Sequence, residues 1–292
     1  MIKPSRRVSS RIMTDEKIEK RIKAGFGEGT REHYKPWIRV RDVPSKGSSY
    51  IVPGVKTGRP HHLLSKGEYY SFLIYENDPA VVDIREQFPL HPRNETSSIA
   101  SSLGYSAPIQ PGSSESLVFT TDLLLTKQDE HGNLKLEAKS IKYLSDLQKS
   151  QDTGNALAIF QRLDIERRYW AKRNVEYELV IAEDLSENLV KNILTMRSYA
   201  TIPASLGDQD VYRKLIDTIS SIDTSQVPLG TLLRLLARKL YLPYKNVKSI
   251  TFHLLWKREL HFDHYNTLID LHSPLSIEPS VRPMRNSGRM AK

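Results

Sequence analysis

The sequence contains no cysteine among its 292 residues. That excludes disulfides, thiolate zinc sites and cysteine nucleophiles, and it agrees with a reducing compartment. No stretch approaches the roughly 18 consecutive apolar residues of a membrane-spanning helix. Lys3, Arg6, Arg7 and Arg11 stand where a secretory leader needs an apolar core. A soluble, intracellular chain with no membrane partner is therefore expected. Negative charge is also scarce: 43 Lys and Arg against 34 Asp and Glu leave a formal charge of +9. Clustered cations favour a polyanion, because binding to phosphates releases counterions, and nucleic acid is the leading candidate partner. The 39% hydrophobic content suffices for a buried core.

The pattern along the chain divides it into four parts. Residues 1–30 read as a basic arm, with one short helix near Thr14 to Ala24 before the glycines of Gly25 to Gly29. Residues 31–182 read as α/β material around a mixed sheet flanked by helices. A helix is expected over Ser65 to Tyr75 with Ser65 as N-cap, and a strand at Val81 to Ile84. A surface excursion follows at Asn94 to Glu115. Leu117 to Thr126, the turn Asp129 to Asn133, and Leu134 to Ile141 give a strong hairpin signal. The stretch from Leu144 to Lys172 is helical in period, and Tyr177 to Ile181 is expected as a last central strand. Residues 183–281 carry helical patterns ending in a strand-like tail, Tyr265 to Leu275, and resemble a winged-helix domain. Residues 282–292 form a basic tail expected to be disordered.

The chemistry concentrates on the hairpin. Glu137 and Lys139 are two apart, so on a strand they leave the same face. Asp122, across the turn, opens the apolar run Leu123-Leu124-Leu125, where a carboxylate is costly unless it is paired or bound to a metal. Asp122 with Glu137-x-Lys139 matches the Asp, acid-x-Lys arrangement of phosphodiester-cutting nucleases. Magnesium prefers hard oxygen ligands, with carboxylates, water and a substrate phosphate in its shell, and manganese can substitute for it. A nearby ammonium orients the attacking water or steadies developing charge. In this reading Asp122 and Glu137 hold the metal, Glu68 adds a ligand, and Lys139 acts on the nucleophile or the transition state. Plainer readings stand beside it. Acid-x-Lys pairs on strands are often surface ion pairs, and Glu68 also completes a capping box with Ser65. His61-His62 reads as surface or structural. The run Glu166-Arg167-Arg168-Tyr169-Trp170 can grip a phosphate backbone or simply form an amphipathic helix.

Longer strings then carry a resemblance. His61-His62-Leu63-Leu64-Ser65 with Glu68, Asp83 to Leu90, Thr121-Asp122, Glu137-x-Lys139 and Glu166 to Trp170 occur in the order seen in the TnsA endonucleases of Tn-seven-type transposons. The upstream pieces Arg21-Ile22-Lys23, Tyr34-x-Pro36-Trp37 and Lys56 to Arg59 are similar too. The resemblance covers about residues 18 to 182 and implies a restriction-endonuclease-like fold. It places Glu68, Asp122 and Lys139 at catalytic positions; some members carry Gln where Glu137 stands. It further implies magnesium-dependent hydrolysis of one strand at each transposon 5′ end in the bacterial cytoplasm. The partners it implies are double-stranded DNA bearing the transposon ends, a TnsB-like transposase and a TnsC-like ATP-dependent regulator. A stand-alone restriction or junction-resolving nuclease of the same fold, or a catalytically silent DNA-binding assembly protein, are the competing readings.

Overall fold

A computed structural model describes residues 13–43, 48–106, 109, 117–152 and 156–280. The expected basic tail and the first twelve residues of the expected arm lie outside them. Two compact units divide between Leu185 and Ser186.

The first unit opens with helix α1 (Asp15–Lys23), whose N-cap Thr14 accepts a hydrogen bond from the Lys17 amide. Asp15 and Glu16 in its first turn and Lys20, Arg21 and Lys23 in its last complement the helix dipole. This part of the expected arm is docked, because Ile18 packs with Trp37 and Val118. A hairpin of β1 (Tyr50–Pro53) and β2 (Pro60–Leu63) leads into α2 (Lys66–Asn77). Then come β3 (Val81–Pro89), α3 (Arg93–Ser102), β4 (Thr120–Gln128), β5 (Leu134–Lys142), α4 (Leu144–Asp152), α5 (Ala156–Ala171) and β6 (Glu176–Ile181).

Strands β3 to β6 form a four-stranded sheet in sequence order. The first two pairings are antiparallel, and β5 pairs with β6 in parallel. A parallel neighbour needs a crossover, here supplied by α4 and α5. The β4–β5 turn is fixed by Asp129, whose Oδ1 accepts from the amides of His131 and Asn133, while Gly132 takes a φ of +88°. One sheet face, with Leu124 and Ala138, packs against Ile165, Tyr169 and Trp170 of α5 and Ile99 and Ala100 of α3. This mixed sheet flanked by helices fits the restriction-endonuclease-like architecture.

Two expectations need correction here. The stretch from Asn94 is not all surface excursion. Residues 93–102 make α3 despite their many serines, because Thr96, Ile99 and Ala100 recur at helical spacing and bury. Strand β6 is an edge of the sheet rather than a central strand, and its alternating Glu176 and Glu178 face solvent.

The second unit holds α6 (Glu187–Arg197), α7 (Gln209–Ser220), α8 (Leu229–Lys239) and α9 (Tyr244–Trp256). A short pairing of β7 (Leu260–His261) with β8 (Glu278–Pro279) closes it. The expected strand over Tyr265 to Leu275 does not form. Asp263 accepts from the amides of Tyr265 and Asn266, and Asp270 from that of His272, so side chains turn the backbone where strand pairing would need it extended. Among the described residues no helix is long and apolar enough to cross a membrane.

Candidate active site

Asp122 is held from β5. Its Oδ2 accepts from the Ile141 amide at 2.7 Å, the Lys142 ammonium at 2.9 Å and the Ser140 hydroxyl at 3.5 Å. All three bonds fall on the same oxygen. Lys142 also donates to the Ile141 carbonyl at 2.9 Å. Burial works against its charge, but Asp122, Glu166 and Glu68 together hold its pKa above the ordinary lysine value.

Glu68 enters from the first turn of α2 and is buried. Its Oε2 accepts from the Leu64 amide at 2.9 Å and from the Gln87 side-chain amide at 3.2 Å, and its Oε1 accepts from the Ser65 hydroxyl at 3.2 Å. Ser65 in turn accepts from the Glu68 amide. The capping box therefore fixes the direction of the Glu68 carboxylate. Burial, and next the nearby charge of Asp122, push the Glu68 carboxyl up to about 8. Gln87 reaches Glu68 from a left-handed backbone conformation, φ +48°, within β3.

Close approach of α2 to the sheet depends on Gly67. A Cβ added there would stand 2.8 Å from the Ala182 Cβ and 3.1 Å from Ile141 Cγ2, and the Gly67 amide donates to the Tyr143 hydroxyl at 2.7 Å. Gly67→Ala is expected to push the start of α2 outward and displace Glu68, at a cost of about 1–3 kcal/mol of unfolding free energy with the far-UV circular dichroism unchanged. Wild-type stability in this variant would show that the helix start has room for a methyl group.

Glu166 comes from α5 on the other side of the sheet. It is fully enclosed, with Oε1 accepting from Thr121 at 2.7 Å and Oε2 from Ser140 at 3.0 Å and Tyr177 at 3.5 Å. Burial, then the charge of Asp122, push it up to about 7, and burial with Glu166 raises the Tyr177 phenol. The Trp170 indole donates to Thr121 at 2.7 Å and closes this network. Of the Glu166 to Trp170 run, Glu166 faces inward and Tyr169 and Trp170 join the core. Arg167 and Arg168 point to solvent and both pair with Asp164.

The structure does not bring Glu137 and Lys139 to Asp122, which corrects the expectation of one converging set. The register places Lys139 opposite Leu123 and Glu137 opposite Leu125, so Asp122 lies across from Ser140, one residue further along β5. Adjacent strand positions face opposite ways. Lys139 therefore leaves the face opposite to Ser140 and Lys142. There its ammonium meets Glu178 at 2.5 Å and Glu137 at 3.0 Å, and Glu137 meets Lys127 at 3.1 Å. The Tyr75 ring lies 5.9 Å from that ammonium. Burial opposes the charge on Glu137, yet Lys139 and Lys127 hold its carboxyl below the usual value; Lys139 is held above its own by Glu178 and Glu137 against the cost of burial. The residues missed from sequence are Lys142, Ser140 and Gln87. Counting the pairing from Asp122 through the turn, rather than looking for an acid two residues before a lysine, picks out Ser140-x-Lys142.

His61 is fully buried, between Thr57 at 2.7 Å and Glu86 at 2.8 Å. Among the described residues no group of three or more His, Asp or Glu lies close enough together to hold a metal.

Residues 78–182, which contain Asp122, Lys142 and Glu166, match the family described as TnsA-like endonuclease N terminal. This segment belongs to the TnsA-like endonuclease family. The chain is similar to the Transposon Tn7 transposition protein TnsA of Escherichia coli, 35% identical over 184 residues. The match covers 63% of this chain and 63% of that relative, so it spans less than two thirds of either. Glu68 lies upstream of the matched TnsA-like segment and is joined to it by the Gln87 bond and by the contact of Gly67 with Ile141 and Ala182.

Proposed function

We propose that this chain is a magnesium-dependent DNA endonuclease that hydrolyses one strand at transposon 5′ ends, with Asp122 and Glu68 as the metal-binding carboxylates. The carrying observation is the pairing of Asp122 Oδ2 with Lys142 and the Ile141 amide beside a second buried carboxylate. The donor set fits the metal. Both groups offer hard oxygens, Asp122 keeps Oδ1 for a cation, and the mutual repulsion of Asp122 and Glu68 is the kind of charge a divalent ion offsets. Two carboxylates suffice, because magnesium completes its shell with water and substrate phosphate. When bound, it supplies Lewis-acid stabilisation of the phosphoryl oxygens and a more acidic water. Lys142 sets the orientation of Asp122 and offers positive charge where negative charge grows during phosphoryl transfer. Glu166 holds Thr121 and Ser140, and so fixes the two strands that carry Asp122 and Lys142. Glu137 and Lys139 are assigned to the support of β5.

The rest of the family's role enters on the same footing. A TnsB-like transposase would place the 5′ end, a TnsC-like regulator would license cutting, and the helical second unit, read as winged-helix-like, would serve the assembly. Little on this chain reads base edges, so position must come from a partner. The test is strand nicking of duplex DNA carrying the transposon ends, with purified partners present. Magnesium or manganese should support it, calcium should allow binding with little turnover, and chelation should stop it. Full-rate cutting after chelation would remove the metal from the mechanism. Site-specific cutting by the lone protein would favour a stand-alone nuclease.

A further inference from the structure

A cavity of about 600 Å³ opens beside α1, walled by Lys20 and Arg21 of that helix, by Phe26, Trp37 and Arg39 that follow it, and by Val118 ahead of β4. That volume suits a small ligand or one inserted group rather than a flat partner. Among the described residues the wall carries five Lys and Arg and a single acid, Asp42. Asp42 is already engaged, by Arg21 at 2.9 Å and by Arg39 at 3.5 Å. Lys20 and Arg41 are exposed and have no ion pair among the described residues. The mouth is therefore positive while the interior is largely apolar.

The interior also gathers planar groups. The guanidinium groups of Arg21 and Arg39 lie 4.3 and 4.8 Å from the centre of the Phe26 ring, and Arg21 lies 5.5 Å from that of Trp37, to whose carbonyl it donates. Aromatic and guanidinium planes accept a nucleobase by stacking, whatever its identity.

Two links join this cavity to the carboxylates of the site. The Trp37 amide donates to the Gln87 carbonyl at 3.2 Å, and the Gln87 side chain holds Glu68. Val118 precedes Asp122 by four residues, about 13 Å of extended chain. A DNA strand passing Asp122 reaches the cavity within a few nucleotides.

We propose that this cavity takes an unpaired nucleotide of the DNA strand near the cut, its base stacked on Phe26 and Arg39 and its phosphates met by Lys20 and Arg41. A paired base is held in its own stack, whereas an unpaired or mismatched one leaves it at little cost. The chain therefore favours a duplex opened beside the cleavage position. The positive mouth selects a phosphate strand over an uncharged ligand, and stacking leaves the contact indifferent to base sequence. The assignment rests on the reading of the chain as a DNA endonuclease, and binding tests it without cleavage.

Two labelled duplexes of equal length, one fully paired and one with a short mismatched run, are titrated with the full chain in the presence of a chelator. Fluorescence anisotropy gives the ratio of their affinities. The mismatched duplex should bind about 10-fold more tightly. Ala24→Trp, which places a ring at the mouth from an exposed position at the end of α1, should erase that preference and leave affinity for the paired duplex unchanged. Lys20→Glu with Arg41→Glu should weaken the mismatched duplex more than the paired one. Lys23→Glu, on the same helix but outside the cavity wall, should leave the ratio alone. If Ala24→Trp perturbs the fold by circular dichroism, Phe26→Leu serves instead, because it removes the stacking ring. Millimolar deoxyadenosine monophosphate should not displace the mismatched duplex; displacement would give the cavity to a free nucleotide and overturn the strand assignment. Equal affinity of the wild type for both duplexes, or a preference that survives in the folded variants, would also overturn it and leave the cavity to an acidic peptide. A chain that showed the preference yet never cut would fail the nuclease reading alone.

Discussion

Asp122→Ala should abolish strand cleavage, and Lys142→Ala should reduce its single-turnover rate by about 10²-fold to 10³-fold, while Lys139→Ala retains most activity. The magnitude for Lys142 is that of removing one preorganised charge-stabilising donor from an enclosed site. Asp122 loses more, because the same side chain is the cation ligand and the acceptor that ties β4 to the Ile141 amide. Lys139 is different. Its ammonium is occupied by Glu137 and Glu178 on the other face of the sheet, so its loss is read in thermal stability before chemistry. The decisive comparison is between the two lysines in proteins of matched DNA affinity. A Lys139→Ala rate as low as that of Lys142→Ala, with the fold intact, would return the active site to the Glu137-x-Lys139 motif.

The largest stability effect is expected at Glu86. Its carboxylate takes both guanidinium nitrogens of Arg59, at 2.8 and 2.6 Å, together with His61 at 2.8 Å and the His62 amide at 3.0 Å. Burial alone would raise its pKa, but these bonds hold it down at about 2, against 4.5 for a free glutamate. A shift of that size corresponds to about 3 kcal/mol. Glu86→Ala leaves Arg59 buried without its partner and should cost about 3–5 kcal/mol, read as the loss of unfolding free energy in urea. The sign with pH follows from the depressed folded value. The contribution is complete above pH 4.5 and is lost as pH falls toward 2, so wild type and Glu86→Gln should converge over that interval. A difference that held constant down to pH 2.5 would mean that Glu86 does not titrate as the geometry requires.

The hairpin of β4 and β5, the Ser65 cap and the helical character of α4 and α5 follow from periodicity and turn chemistry, because each is decided locally. What sequence could not settle is the phase between strands. Both Glu137-x-Lys139 and Ser140-x-Lys142 lie on β5 with the right reach, and only the pairing across the turn says which one faces Asp122. An acid two residues before a lysine is the stronger pattern to the eye, yet here serine holds that place before Lys142. Glu166 was visible as part of an Arg-rich helical run, but its inward direction depends on Thr121 and Ser140 from two strands. The docking of α1 is hidden in the sequence for a similar reason: one isoleucine in a basic segment is a weak signal until Trp37 and Val118 close over it.

The crossover between β5 and β6 also sets a schedule for how the site comes into being. Asp122 and Lys142 are twenty residues apart and joined by a tight turn, so their contact belongs to the fast, local part of folding. Thr121 and Glu166 are forty-five apart, and Glu166 reaches them only after α5 has packed back on the sheet. A chain emerging from the ribosome N-terminus first can pair its hairpin well before that. The last buried carboxylate is thus delivered by the same event that seats β6, and a nascent or prematurely terminated chain carries an ordered aspartate and lysine without the helix that braces them.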